Sequence, residues 1–140
     1  MGKSIVTLFA IFALLACHSD KPEDQVKRRF EACRAAVEKG DAATASEALD
    51  AAFRGPEGMD KATARLFLMG MLRQEKVGVT VVDNRVTVRG NQAFQEVDLI
   101  LTGRSGGLLP QDASHRSFSL RWARSGSDWN LVELQSLDGR

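Results

Sequence analysis

The chain of 140 residues contains no tyrosine, only two cysteines and only two histidines. Its formal net charge is +1 at pH 7, so no excess of charge directs it to nucleic acid. Neither His18 nor His115 has a second His, Cys or carboxylate at the spacing of a zinc site. Phosphate-binding glycine loops and nucleophile elbows are also missing. The sequence therefore predicts no metal, no cofactor and no nucleic-acid partner, and it offers no complete catalytic set.

The N-terminal sixteen residues have the layout of a secretory signal peptide. Lys3 precedes a run of twelve uncharged, mostly apolar residues that ends at Ala16. That run is too short to remain as a membrane-spanning helix, which needs about 20 residues. A charged start, a short apolar stretch and a small residue before the cut are what export requires. Residues 1–16 are accordingly expected to be removed.

The end of this segment, Leu14-Leu15-Ala16-Cys17, resembles the lipobox of bacterial lipoproteins. The resemblance implies cleavage between Ala16 and Cys17 and a diacylglycerol on the sulfur of Cys17. Leu15 fits the pattern less well than Leu14 and Ala16. Two other interpretations are an ordinary signal peptide with an incidental Cys17 and the apolar first helix of a cytosolic domain. The polar stretch at residues 18–24 favours lipidation, because a core helix would not stop so abruptly.

Lipidation would make a membrane the first partner of this protein. In enterobacterial lipoproteins an aspartate after the cysteine retains the protein at the inner membrane; here that residue is His18. The resemblance thus implies the outer membrane, facing the periplasm. Residues 17–22 form the tether, which reaches at most about 20 Å, and residues 23–140 form the domain. Without Lys3, the exported chain holds 18 basic and 18 acidic side chains.

The first half of the domain has the pattern of three helices. Val26, Phe30, Cys33 and Val37 make one stripe of a helix over residues 23–38, which predicts that Cys33 is a small buried hydrophobe rather than a nucleophile. Gly40 would end this helix. A second helix is predicted over residues 42–53, antiparallel to the first. A third, over residues 61–76, is apolar nearly all round and is therefore expected to be buried. The expected buried face of the second helix comprises Ala45, Ala48, Leu49, Ala52 and Phe53.

The second half alternates between apolar and polar residues, as strands do. The apolar phase changes between Val81 and Val86, which predicts a bulge, and Gly90-Asn91 predicts a hairpin. Strands are expected from residue 77 to 88 and over residues 92–102, 116–123 and 129–137, with a long loop at 103–114. Four hairpin-connected strands make an antiparallel meander. Three N-terminal helices packed on a curved four-stranded meander give an α+β fold.

This order of elements, ending in Asp128-Trp129-Asn130-Leu131-Val132-Glu133, resembles the nuclear transport factor 2-like superfamily, also called SnoaL-like or cystatin-like. The resemblance covers residues 23–137 and implies a cone whose helices and sheet enclose a pocket. The chain departs from the fuller pattern, which has a strand pair between the second and third helices, so a trimmed version is expected. Homodimers through the sheet are common in the superfamily. The residues expected to line or fill the cone are Leu66, Met69, Leu99, Leu120 and Trp122.

Two functions remain open from the sequence. The first is a non-enzymatic module that binds a small apolar ligand or an envelope protein. The second is a small isomerase or dehydratase of the same superfamily with a pocket carboxylate, Asp98 or Glu96, as its base. The isomerase branch uses a tyrosine or a protonated carboxylic acid as oxyanion donor, and this chain has no tyrosine. Both carboxylates also alternate against the apolar face of their strand, which favours the first function.

Overall fold

A computed structural model describes residues 21–103 and 115–138. Within these ranges the chain forms three α-helices, a short 3-10 helix (Pro56–Gly58) and one five-stranded sheet. No helix in the described residues is long and apolar enough to cross a bilayer. The helices are α1 (Pro22–Glu38), α2 (Ala42–Ser46) and α3 (Lys61–Gln74). The strands are β1 (Leu49–Arg54), β2 (Gly78–Arg89), β3 (Gln92–Thr102), β4 (His115–Ser125) and β5 (Asp128–Ser136).

Several predictions lie outside the described residues. They are the signal peptide over residues 1–16, the cleavage site at Ala16 and Cys17, and most of the tether and of the loop at 103–114. They remain predictions.

The sheet has the strand order β1-β5-β4-β3-β2. Strands β2 to β5 form the predicted antiparallel meander. The prediction of four strands was nevertheless wrong, because β1 adds a fifth that runs parallel to β5. Leu49 lies opposite Leu131, and the Leu131 amide donates to the Ala48 carbonyl over 2.7 Å. The sheet is therefore mixed, and β1 forms one of its edges.

Local features of the meander follow the sequence closely. The register between β2 and β3 shifts between Val81 and Asp83, which is where the apolar phase changes. Gly90 has φ 59°, a left-handed conformation that glycine adopts without steric cost, and it turns β2 into β3. The bulge re-aims the strand, so that Val79 and, beyond the bulge, Val86 both pack on the core.

The predicted second helix is wrong over its C-terminal half. α2 ends at Ser46, and the chain enters β1 at Leu49. Alanine-rich sequence favours a helix, but pairing with β5 satisfies the backbone of this segment and buries Leu49 and Phe53. Tertiary pairing thus overrides local preference. Ala45, Ala48, Leu49 and Phe53 are buried as expected, whereas Ala52 is exposed.

Helices α1 and α3 bury different proportions of their surfaces. Val26 of α1 is fully buried, and Phe30, Cys33 and Val37 pack on the same core as predicted. The expectation that α3 is buried nearly all round is wrong. Ala64 is its one buried residue, because α3 meets the core along a single face. Leu66 and Phe67 are exposed.

Candidate functional site

An apolar cavity of about 330 Å³ lies between the helices and the sheet. The sheet contributes apolar side chains from all five strands, and the helices contribute side chains from α1, α2 and α3. On the sheet the wall comprises Leu49, Val79, Val97, Leu99, Leu101, Phe118, Leu120, Trp122, Leu131 and Leu134. On the helices it includes Phe30, Cys33, Val37, Leu68 and Met71.

The structure divides the predicted lining residues into two groups. Leu99, Leu120 and Trp122 lie on the cavity wall. Leu66 and Met69 do not, and instead line a groove on the outer side of α3 beside β1. The reason is the helical period of α3: Leu68 and Met71 take its inner face, which turns Leu66 and Met69 away from the cavity.

The polar members of the cavity wall among the described residues are Cys33, Arg34 and Glu75. Burial raises the pKa of the Cys33 thiol, and the positive charge of Arg29 offsets only part of that effect. The thiol therefore stays protonated at neutral pH. A protonated thiol is a poor nucleophile. Cys33 packs against the core as predicted but is half-buried rather than fully buried.

Arg34 is held at the edge of the cavity by partners on both sides. Its guanidinium pairs with Glu31 and Glu38 on α1, and Nη1 donates to the Val79 carbonyl over 3.2 Å. Glu38 in turn accepts from the Val79 amide over 3.1 Å. The hydrogen bond from Arg34 lowers the pKa of the Glu31 carboxyl below its ordinary value. These contacts fix α1 to the start of β2 and engage the charge of Arg34.

A hydrogen-bonded chain lies beneath the cavity. The Trp122 indole Nε1 donates to Gln95 Oε1 over 2.8 Å, and Gln95 Nε2 donates to Asn84 Oδ1 over 2.8 Å. Gln95 is 1% exposed, so each of its polar atoms needs a partner. Sequence analysis missed Gln95. The available signal was its position in phase with Val97 and Leu99 on the inner face of β3.

The two carboxylates considered as catalytic bases lie on the other face of β3. Asp98 Oδ1 accepts from the Ser117 hydroxyl over 2.5 Å, and Glu96 pairs with Arg85 over 2.9 Å. Neither lines the cavity. His115 is exposed at the start of β4, and no group of three or more potential metal ligands occurs within residues 21–103 and 115–138. Among the described residues, Glu75 is the carboxylate on the cavity wall.

Comparison of the sequence with protein-family models and with curated proteins gives no match. Solved structures do match. The chain superimposes on a candidate dehydratase of the NTF2-like family from Streptomyces avermitilis with a TM-score of 0.70 and 17% identity, over 81% of this chain and 93% of that one. An NTF2-like protein from Cytophaga hutchinsonii gives 0.68 and 13%, over 83% and 97%.

This is the nuclear transport factor 2-like fold. Bd1075 of Bdellovibrio bacteriovorus has the same arrangement, with a TM-score of 0.69 and 12% identity, over 81% of this chain but only 40% of Bd1075. The TM-scores establish the NTF2-like fold. Sequence identities this low leave the activity open. In this chain the cavity lies between the helices and the sheet of that fold.

Proposed function

We propose that this chain is a membrane-anchored lipoprotein of the bacterial envelope whose NTF2-like domain binds a small apolar ligand without catalysing a reaction. The observation that carries the proposal is the chemistry of the cavity wall. Side chains of Val, Leu, Phe and Trp dominate it, and the carboxylates at Asp98 and Glu96 lie on the opposite sheet face. Such a wall favours a ligand that gains by leaving water and asks for few hydrogen bonds.

The size of the cavity suits a small ligand. A volume of about 330 Å³ lies near the lower end of ligand pockets, which span roughly 300–1,000 Å³. The half-buried thiol of Cys33 adds a weak donor, and Trp122 is held in place by Gln95. The sheet side of the cavity is therefore preformed, so little conformational entropy is lost there on binding. A partner protein of the envelope would bind a surface of the domain outside this cavity.

Binding of the apolar fluorophore N-phenyl-1-naphthylamine tests the cavity. Leu68→Trp introduces a larger side chain at a position that lines the cavity, and we expect it to weaken dye binding about tenfold, or about 1.4 kcal/mol. Phe67→Trp is the matched control, because it alters the neighbouring residue on the exposed side of α3. Equal dye affinity in both variants, or no binding to the wild type, would contradict the proposed site.

The anchor needs its own experiment. Cys17→Ser should abolish incorporation of labelled fatty acid and leave a precursor that migrates more slowly than the mature protein. The control is Cys33→Ser, which changes the other cysteine of the chain and should be labelled like the wild type. Lipid incorporation that persists in Cys17→Ser would refute the lipobox assignment.

The alternative function is a dehydratase- or isomerase-like activity with a pocket carboxylate. It is favoured by the structural similarity to the candidate dehydratase and by the position of Glu75 on the cavity wall. If Glu75 were a general base, Glu75→Gln would abolish turnover of a substrate while dye binding persisted. The binding proposal expects no turnover in either protein.

A further inference from the structure

The outer side of α3 carries apolar side chains that the fold does not cover. Leu66 is 68% exposed and Phe67 is 58% exposed, and Met69 lies beside Leu66 in the outer groove. Successive residues of a helix lie about 100° apart around its axis, and Phe67 does not line this groove. The groove side of α3 therefore presents Leu66 next to Met69, a surface suited to an apolar partner.

Cationic side chains lie beside Leu66 and Met69 in this groove. Arg54 from β1 and Lys61 and Arg65 from α3 line it together with Leu66. Asp60, the acidic residue in the groove, caps the start of α3 by accepting from the Thr63 amide over 2.8 Å. The groove thus combines three cations and one carboxylate with the exposed Leu66 and the half-buried Met69.

We propose that this docking face, defined by Arg54, Lys61, Arg65, Leu66 and Met69, rests on the surface of a bilayer that contains anionic phospholipid. Lysine and arginine beside exposed apolar side chains on one helix are the composition of helices that lie in the membrane interface. The cations meet lipid phosphates, while the apolar side chains enter the acyl boundary. A complementary charge favours lipid over a neutral protein surface.

The inference rests on the proposed lipid anchor and adds an orientation to it. The anchor alone would hold the domain near the bilayer in any orientation that the tether at residues 17–22 permits. Docking through α3 would select one orientation.

Quenching by brominated phosphatidylglycerol in vesicles tests the docking face in the full lipidated chain. Trp122 and Trp129 are almost fully buried and provide a constant background. An indole introduced by Leu66→Trp should be quenched at least about twofold more than one introduced by Val82→Trp. Val82 is the matched control because it is similarly exposed, at 58% against 68% for Leu66, but lies at the β2 bulge. Brominated phosphatidylcholine, or 0.5 M salt, should weaken quenching at position 66.

A charge variant tests the cations separately. Lys61→Glu combined with Arg65→Glu should lower the quenching of the indole at position 66. Arg85→Glu combined with Arg89→Glu changes the net charge equally on β2 and should leave that quenching unchanged. Equal quenching at positions 66 and 82, or flotation with vesicles without quenching at 66, would overturn docking and leave the anchor intact. A chain that does not float with vesicles would overturn both.

Discussion

Helices α1 and α3 pack on the same sheet but are held to it by different interactions. α1 inserts the fully buried Val26 and adds polar contacts from four of its side chains. The Trp129 indole donates to Gln25, and Arg29 donates to the Trp129 carbonyl. Within residues 21–103 and 115–138, no hydrogen bond joins a side chain of α3 to the sheet, and Ala64 is its one buried residue. Only α1 is fixed by both packing and hydrogen bonds; α3 is held by packing alone.

The two helices therefore give the cavity two different walls. The wall formed by α1 is hydrogen-bonded to β2 and β5, whereas the wall formed by α3 is held by packing and can adjust to a ligand. Elements with few buried contacts open at lower free energy than the rest of a protein. α3 carries apolar side chains on its inner face, where they line the cavity, and also on its exposed face.

The largest predicted effect comes from placing a carboxylate on the inner side of α1. Val26→Asp puts an unpaired charge at a fully buried position, and we expect a loss of about 4 kcal/mol or more in the free energy of unfolding. Phe67→Asp makes the equivalent change on α3 at an exposed position, with an expected change within about 0.5 kcal/mol. Urea unfolding followed by circular dichroism measures both. Similar losses would show that α3 is buried in solution.

A smaller loss is expected when one hydrogen bond of α1 is removed. Gln25→Ala leaves the buried Trp129 indole without the acceptor 3.1 Å away, which should cost about 1–3 kcal/mol. Gln74→Ala, at an exposed position of α3, is the control and should cost less than about 0.5 kcal/mol. The same unfolding measurement applies. A neutral Gln25→Ala would mean that the contact does not stabilise α1.

Amide hydrogen exchange compares the two helices without any mutation. We expect the central amides of α3 to exchange at least about tenfold faster than those of α1, because local opening of α3 exposes less apolar surface. Mass spectrometry of peptides from the two helices gives the rates. Addition of N-phenyl-1-naphthylamine should slow exchange in α3 more than in α1. Equal protection of the two helices would refute the distinction.

The smallest predicted effect concerns acid. Thr63 hydrogen bonds lower the pKa of the Asp60 carboxyl, which caps α3, whereas α1 has no side-chain cap. A carboxyl whose pKa is lower in the folded state stabilises that state above its unfolded pKa, and this contribution disappears as pH falls through the folded value. The stability difference between wild type and Asp60→Ala should therefore be largest near neutral pH and shrink below about pH 3.9. Unfolding curves at several pH values measure it.

The sequence was a good guide to the meander and to the bounds of α1 and α3, and a poor guide to the segment between α2 and α3. Strands β2 to β5 alternate around short turns, so local pattern and final pairing agree, and even the bulge near Val82 is visible as a change of phase. Residues 49–54 behave differently. Their strand depends on a partner at the far end of the chain, and no local signal in Leu49 or Phe53 identifies that partner.

The candidate site was predictable in part for the same reason. Leu99, Leu120 and Trp122 follow from strand alternation and lie on the wall. Leu66 was misplaced because the apolar residues of α3 occupy both of its faces, and composition does not show which face meets the core. Gln95 was missed because a polar residue in an apolar phase looks like an exception until Trp122 and Asn84 are seen beside it.

The pairing of β1 with β5 sets an order for assembly. Leu49 cannot meet Leu131 until nearly all of the chain has been synthesised, and contacts so distant along the chain slow folding. Until then the backbone of the Leu49–Arg54 segment lacks its strand partner, and Phe53 is not yet buried. The strand that is made first is thus completed last, and a nascent or newly exported chain would offer this segment to chaperones and proteases for longer than any other strand.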